Sequence, residues 1–333
     1  MSQNRKRLLT AVALACLVAT AGCSGLGLGG GGPSAVDQVP SGVDTVVRVD
    51  MAIIEDDVTR RLANAGAESA PTTGETSNVS TAIAEFENET GLDPTNGDEI
   101  VSFQKRNASR SLTSSQYTGV IIHGNWKTAT VVDALKNDSD VSYEETTYGG
   151  KTVYRPSEQP EFGTQSWFAV LGDGQFVAGS EQAVKDTIDV VNGDSETFGG
   201  SLRTDYENTR DGLVTFATTV PQEQIPNTSA GQVDVSQYQQ VRTVTGVYYT
   251  TSSGAGVEMT MTATGTDAAR DVADVTDGAV SIASGYTNNE TAKNALRDIT
   301  VERDGETVVV SYEDSVDSIS VLLEVLYGNS ATA

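Results

Sequence analysis

The sequence predicts an α+β protein of antiparallel, hairpin-rich sheets packed by amphipathic helices, in two related halves. Three observations carry that expectation. Two-residue turns with glycine recur at Gly149–Gly150 in TTYGGKTVY, Asp173–Gly174 in WFAVLGDGQFVAGS and Asp304–Gly305 in ITVERDGETVVV. Glycine there accepts the positive φ that a twisted hairpin needs. Apolar residues at helical spacing separate these strands. Finally, the order strand, strand, helix, hairpin, helix runs through the first part of the chain and again through the second.

The elements follow in chain order. Arg5, Lys6 and Arg7 precede the apolar run Leu8–Thr20. The run is too short for a bilayer, which takes ~20 residues, and residues 1–22 read as a signal peptide. NRKRLL has no strict Arg-Arg pair, so it leaves both the general and the twin-arginine export routes open. Cys16 sits in the apolar run and leaves with it. TAGC (Thr20–Cys23) resembles a lipobox, in which cleavage leaves Cys23 as the new N-terminus. Residues 23–38 then read as a lipidated cysteine and a glycine-rich tether, SGLGLGGGGPS onward. Two lipid chains hold a protein firmly where one does not. With Cys23 the only remaining thiol, the fold has no internal disulfide.

Residues 39–198 form the expected first half. DTVVRVD (Asp44–Asp50) is a strand, and Ile54, Val58 and Leu62 give a helix one apolar face. Residues 65–78 read as a polar loop. Val79, Ile83 and Phe86 mark a second helix that Gly91 closes. YTGVIIHG is a strand, WKTATVVDALKN a helix, and Ser180 caps a helix carrying Val184, Ile188 and Val191 inward. The glycine-rich NGDSETFGGS leads into the second half, 199–328, with strands GLVTFATTV, TVTGVYYTT and GVEMTMTATG and a helix from Asp267. A last helix follows, with Ile319, Leu322, Leu323 and Leu326 on one face. Residues 329–333 are a tail.

Charge narrows the function. The chain has 21 basic and 46 acidic residues, a net charge of −25. Loss of residues 1–22 removes three basic residues and no acid, which takes the balance to −28. No basic cluster remains to displace nucleic-acid counterions, so nucleic acid is excluded as a partner. The acids are scattered and lysines number seven, a composition suited to strong hydration in molar salt, where the Debye length is ~3 Å. Together TAGC, the glycine tether and the acidic, lysine-poor body resemble haloarchaeal lipobox-bearing surface lipoproteins. That resemblance implies a lipid anchor at Cys23 on the outer face of the cytoplasmic membrane, and it carries no catalytic residues over.

Candidate sites are few. N-x-Ser/Thr sequons at Asn78, Asn88, Asn107, Asn137, Asn227 and Asn289 are N-glycosylation acceptors for an exported chain. His123 is the only histidine, which rules out a multi-imidazole metal site, and it reads as a structural residue at a strand end. There is no G-x-S-x-G elbow, no phosphate loop and no dinucleotide fingerprint. No catalytic, metal or cofactor residue is therefore assigned. Asp267, Asp271, Asp274 and Asp277 share a helical face opposite Val272, Val275, Ala279 and Ile282, which reads as a hydrated face. LDPTNGDE lacks EF-hand spacing and reads as a turn. Trp126 and Trp167, with Tyr143, Tyr148 and Tyr154, read as packing aromatics rather than a ligand cleft. The expectation is a non-enzymatic, lipid-anchored surface protein whose partners are the membrane and either envelope proteins or a permease. The alternatives are a transporter's substrate-binding lipoprotein and, third, a hydrolase using two carboxylates ~5–10 Å apart.

Overall fold

A computed structural model describes residues 34–69, 78–106, 117–137, 142–157, 166–225, 229–230, 233–287 and 289–328. Cys23, Asn107 and Asn227 lie outside them. Within each unit the strand pairs are antiparallel, and helices pack on the sheets. The chain divides into two compact units. Among the described residues, the first holds 34–54 and 81–203, and the second holds 55–80 and 204–328.

The first unit opens on a 3-10 turn, Ala35–Gln38, capped by Ser34. Composition groups these residues with the tether, but Ala35, Val36 and Gln38 are buried. The small apolar side chains find a sheet face to cover, whereas the glycines before them have none to offer. Strand β1 (Thr45–Asp50) follows. The next described elements are helices α1 (Asp57–Ser69), which belongs to the second unit, and α2 (Val79–Thr90). The polar loop expected from residue 65 instead continues α1 to Ser69, because ANAGAES is alanine-rich and alanine is the best helix former.

Strands β2 (Gly97–Lys105) and β3 (Tyr117–Gly124) complete a meander with β1. Helix α3 (Thr128–Asn137) precedes hairpins β4 (Tyr143–Tyr148)–β5 (Lys151–Pro156) and β6 (Trp167–Gly172)–β7 (Gln175–Gly179). The sheet order is β1-β2-β3-β7-β6-β5-β4, so the last strand returns to pair with the third. Helix α4 (Glu181–Asn192) packs on one face with its Ser180 cap as expected, and helix α5 (Gly200–Glu207) follows. On the α4 face Val46, Val101, Phe103, Ile121 and Val177 are buried; on the opposite face Val132 of α3 packs with Tyr154, Phe168 and Phe176.

The second unit repeats the plan. Strands β8 (Val214–Thr219), β11 (Val241–Thr250) and β12 (Gly254–Ala263) form the meander, with the short ladder β9 (Ser229–Ala230)–β10 (Val233–Asp234) lying between β8 and β11 in the chain. Helices α6 (Thr266–Tyr286) and α7 (Glu290–Asp298) lead to hairpin β13 (Thr300–Asp304)–β14 (Thr307–Ser315). Strand β14 pairs with β12 as β7 does with β3, and helix α8 (Val316–Gly328) closes the unit. The order is β8-β11-β12-β14-β13. Hairpin β4–β5 is thus an addition outside a shared five-strand plan. In β13–β14 the loop is Gly305–Glu306, one residue later than expected, because Asp304 pairs with Thr307.

Candidate functional site

Strand alternation sends Glu99, Val101 and Phe103 of β2 to the α4 face. Register then sets one row across four strands. Asp50 of β1 lies opposite Glu99, Glu99 opposite His123 of β3, and His123 opposite Gln175 of β7. Directly opposed side chains stand ~5 Å apart, so four polar groups meet at one end of an apolar face. Asp50, Glu99 and His123 are 6%, 8% and 7% exposed. Charges so buried persist only when paired.

The pairing is complete on the sheet side. Arg48, two residues before Asp50 and on the same face, donates from Nε to Glu99 Oε2 at 2.8 Å and from Nη2 to Asp50 Oδ2 at 3.1 Å. Asp50 Oδ1 also accepts from the Ala52 amide at 3.0 Å. The other side of the row meets the N-terminal 3-10 turn. Glu99 Oε1 accepts from the Ala35 amide at 2.6 Å, and Ser34 Oγ donates to the same carboxylate at 3.2 Å. His123 Nε2 lies 3.1 Å from Gln38 Oε1, and Gln38 Nε2 donates to Gln175 Oε1 at 3.1 Å. His123 Nδ1 is 3.6 Å from Glu99 Oε1.

Burial pushes the His123 imidazole below its ordinary pKa, against the opposing pull of Glu99 and Asp98. A neutral ring carries one N–H, and the acceptor Gln38 Oε1 beside Nε2 places it on that nitrogen, which donates to the amide oxygen. The chemistry this row performs is fastening. Its acceptors already hold main-chain and side-chain donors, and among the described residues no group of three or more His, Cys, Asp or Glu is disposed to hold a metal.

Four of the five aromatics divide between the two faces of the first sheet. Trp167 and Tyr148 meet Lys185 of α4, whose Nζ lies 5.2 and 5.4 Å from their rings. Tyr154 packs 6.1 Å from Phe168 in the opposite core, where Tyr143 also lies. Trp126 donates from Nε1 to the Asp93 carbonyl at 2.7 Å. Of LDPTNGDE only Pro94–Asn96 form a 3-10 turn, capped by Asp93, whereas Gly97, Asp98 and Glu99 already belong to β2. Asp93 Oδ1 accepts from the Thr95 amide and hydroxyl, which holds its carboxyl below the usual range.

On α6 the four aspartates are exposed, and Asp267 pairs with Arg270 at 2.9 Å. The opposite stripe is narrower than expected: Ala268, Ala269, Val272 and Thr276 are buried, while Val275, Ala279 and Ile282 are half-buried. Ser284, near the end of the helix, is buried as well.

Among the sequons, Asn78 and Asn88 are exposed before and on α2, and Asn137 is exposed at the end of α3. Asn289 caps α7, its Oδ1 accepting from the Ala292 amide at 3.1 Å. That bond leaves the cap independent of Nδ2, the atom that carries a glycan. The second unit also holds a cavity of about 340 Å³ lined by Thr291, Asn294, Asp298, Tyr312, Asp314 and Ser318. There Tyr312 is pushed up to about 12 by burial and by Asp314.

Sequence reasoning reached His123 but not its row. The missing piece was β2, where the inward series Glu99, Val101, Phe103 begins with a charge. Burial alternates along β2, but DEIVSF does not alternate in polarity, since charged Glu99 faces inward and apolar Ile100 outward, so no strand period marks the site.

No family model matches the chain, and no curated protein does. Its fold is similar to that of TP0453 in three crystal forms. Form III has a TM-score of 0.48 at 11% identity over 89% of this chain and 100% of that one. Form IV has 0.47 at 12% identity, covering 87% and 96%, and form I has 0.44 at 10%, covering 89% and 99%.

Proposed function

We propose that this protein is exported, held by lipid at Cys23 on the outer face of the cytoplasmic membrane, and acts there by binding or organising envelope components rather than by catalysis. The basic residues, short apolar run, TAGC and glycine tether support the anchor. One observation carries the non-catalytic part. The cluster that brings together Arg48, Asp50, Glu99 and His123 is buried and engaged in fastening the segment that continues the tether. The scattered acidic surface supports a high-salt setting, and Asn78, Asn88, Asn137 and Asn289 stand as acceptors for surface glycans.

The rival, a transporter's substrate-binding lipoprotein, usually shows repeated β-α units on parallel sheets. The antiparallel pairing within both units gives that reading no support. Two experiments test the proposal. Cys23→Ser should release the protein into the medium or leave its signal uncleaved; unchanged retention in the membrane fraction defeats the anchor. Crosslinking on intact cells should recover envelope glycoprotein or the protein itself. Recovery of a permease transfers the assignment to solute capture.

A further inference from the structure

We infer that Ser34–Gln38 is a releasable latch on the polar row of the first unit, fastened by the charge of Glu99, and that its release lengthens the tether and uncovers Glu99, His123 and Gln175. The part about the tether rests on the anchored reading.

Two features make the segment separable. The row beneath it is aligned by strand pairing among β1, β2, β3 and β7, in which the latch takes no part. Arg48 bridges Asp50 and Glu99 from within the sheet, so both carboxylates keep a partner when the latch leaves. The latch itself adds the Ala35 amide and Ser34 hydroxyl on Glu99 and the Gln38 amide between His123 and Gln175.

Beyond Gln38 the chain is held separately. The Phe198 amide donates to the Val39 carbonyl at 2.7 Å, the Ser41 amide donates to the Glu196 carbonyl at 3.1 Å, and Pro40 bridges Thr197. Release therefore stops at Val39. It breaks the Asp37–Arg203 pair at 2.9 Å and the Thr197 hydroxyl bond to the Asp37 carbonyl. A tether of eleven residues, Cys23–Pro33, gains the five residues of the latch. At full extension that adds roughly 17–18 Å of reach. The charged groups around the seat are Arg48 and Asp50 on β1, Asp98 and Glu99 on β2, and His123 on β3; Asp37 and Arg203 guard its edge.

The test is amide hydrogen exchange on the full mature protein, comparing wild type with Glu99→Gln. The variant keeps the shape of Glu99 and removes its charge. Expected is an exchange rate at Ala35–Gln38 raised at least tenfold while the amides of β3 and β7 are unchanged, with new protease cleavage inside 34–38. If these amides exchange with the slowest sheet amides in both proteins, or if both regions accelerate together, the latch is refuted. Gln38→Ala is the second variant, since it removes a contact of the latch alone and leaves every charge in place. It should give the same local acceleration, and uniform behaviour there refutes the inference as well. The anchored reading stands or falls separately, on the fractionation of Cys23→Ser.

Discussion

Phe103 on β2 lies directly opposite Gly119 on β3 and fills the space a side chain at 119 would take: a Cβ there would sit 2.2 Å from Phe103 Cζ. The second unit repeats the pair, with Tyr249 on β11 opposite Gly256 on β12 and a Cβ-to-ring distance of 2.4 Å. In both units an aromatic on the second meander strand covers a bare main chain on the third. Gly119→Ala and Gly256→Ala should each destabilise by about 1–3 kcal/mol, the usual cost of overpacking. Chemical denaturation measures it, and a change below about 0.5 kcal/mol at both sites would show the rings free to move aside.

Arg48 is the cation between two buried carboxylates. Its removal leaves Asp50 and Glu99 without their shared partner, a loss of about 3–5 kcal/mol for a fully buried pair. With the side chain of Arg48 24% exposed, about 2–4 kcal/mol is expected for Arg48→Ala. Adding Glu99→Gln to Arg48→Ala should recover part of that loss, because one uncompensated charge is gone. Strictly additive losses in the double-mutant cycle would count against charge pairing as the cause.

His123 gives stability a pH dependence of predictable sign. Its folded-state pKa lies below the ordinary value of about 6.5. The folded protein keeps the ring neutral while the unfolded chain takes up the proton. The contribution is therefore present above pH ~6.5 and is lost as pH falls toward the folded pKa. Unfolding free energy measured from pH 8 to 5 should fall more steeply for wild type than for His123→Asn. Parallel curves would show that the ring titrates alike in both states.

Dilution from molar to low salt should lower the melting temperature of the mature protein. Its 46 acids against 18 bases repel one another once screening weakens. A melting temperature constant across that range would remove the support for a high-salt setting.

Local chemistry made much of this fold legible. Glycine turns announced three hairpins, Ser180 announced α4, and YTGVIIHG gave β3 to the residue. Asp304–Gly305 missed its loop by one residue because an Asp-Gly pair reads alike whether the aspartate ends a strand or enters the turn. Long-range facts stayed hidden. The line Asp50, Glu99, His123, Gln175 exists only through the register of four strands, and no window of sequence contains it. Likewise nothing local tells that Ser34–Gln38, so near the glycines, has a seat on a sheet.

Helix α1 emerges early from any N-to-C-terminal synthesis or export, yet it packs against α8, and Arg61 meets Asp317 across 256 residues of chain. Val58 and Leu62, buried in the finished protein, must wait for nearly the whole polypeptide to appear. The first unit can assemble its meander while the rest is still emerging, but the second stays incomplete until the end. A nascent chain stalled before residue 316 therefore carries, near its N-terminal end, an amphipathic helix whose apolar side still lacks the closing helix that packs on it.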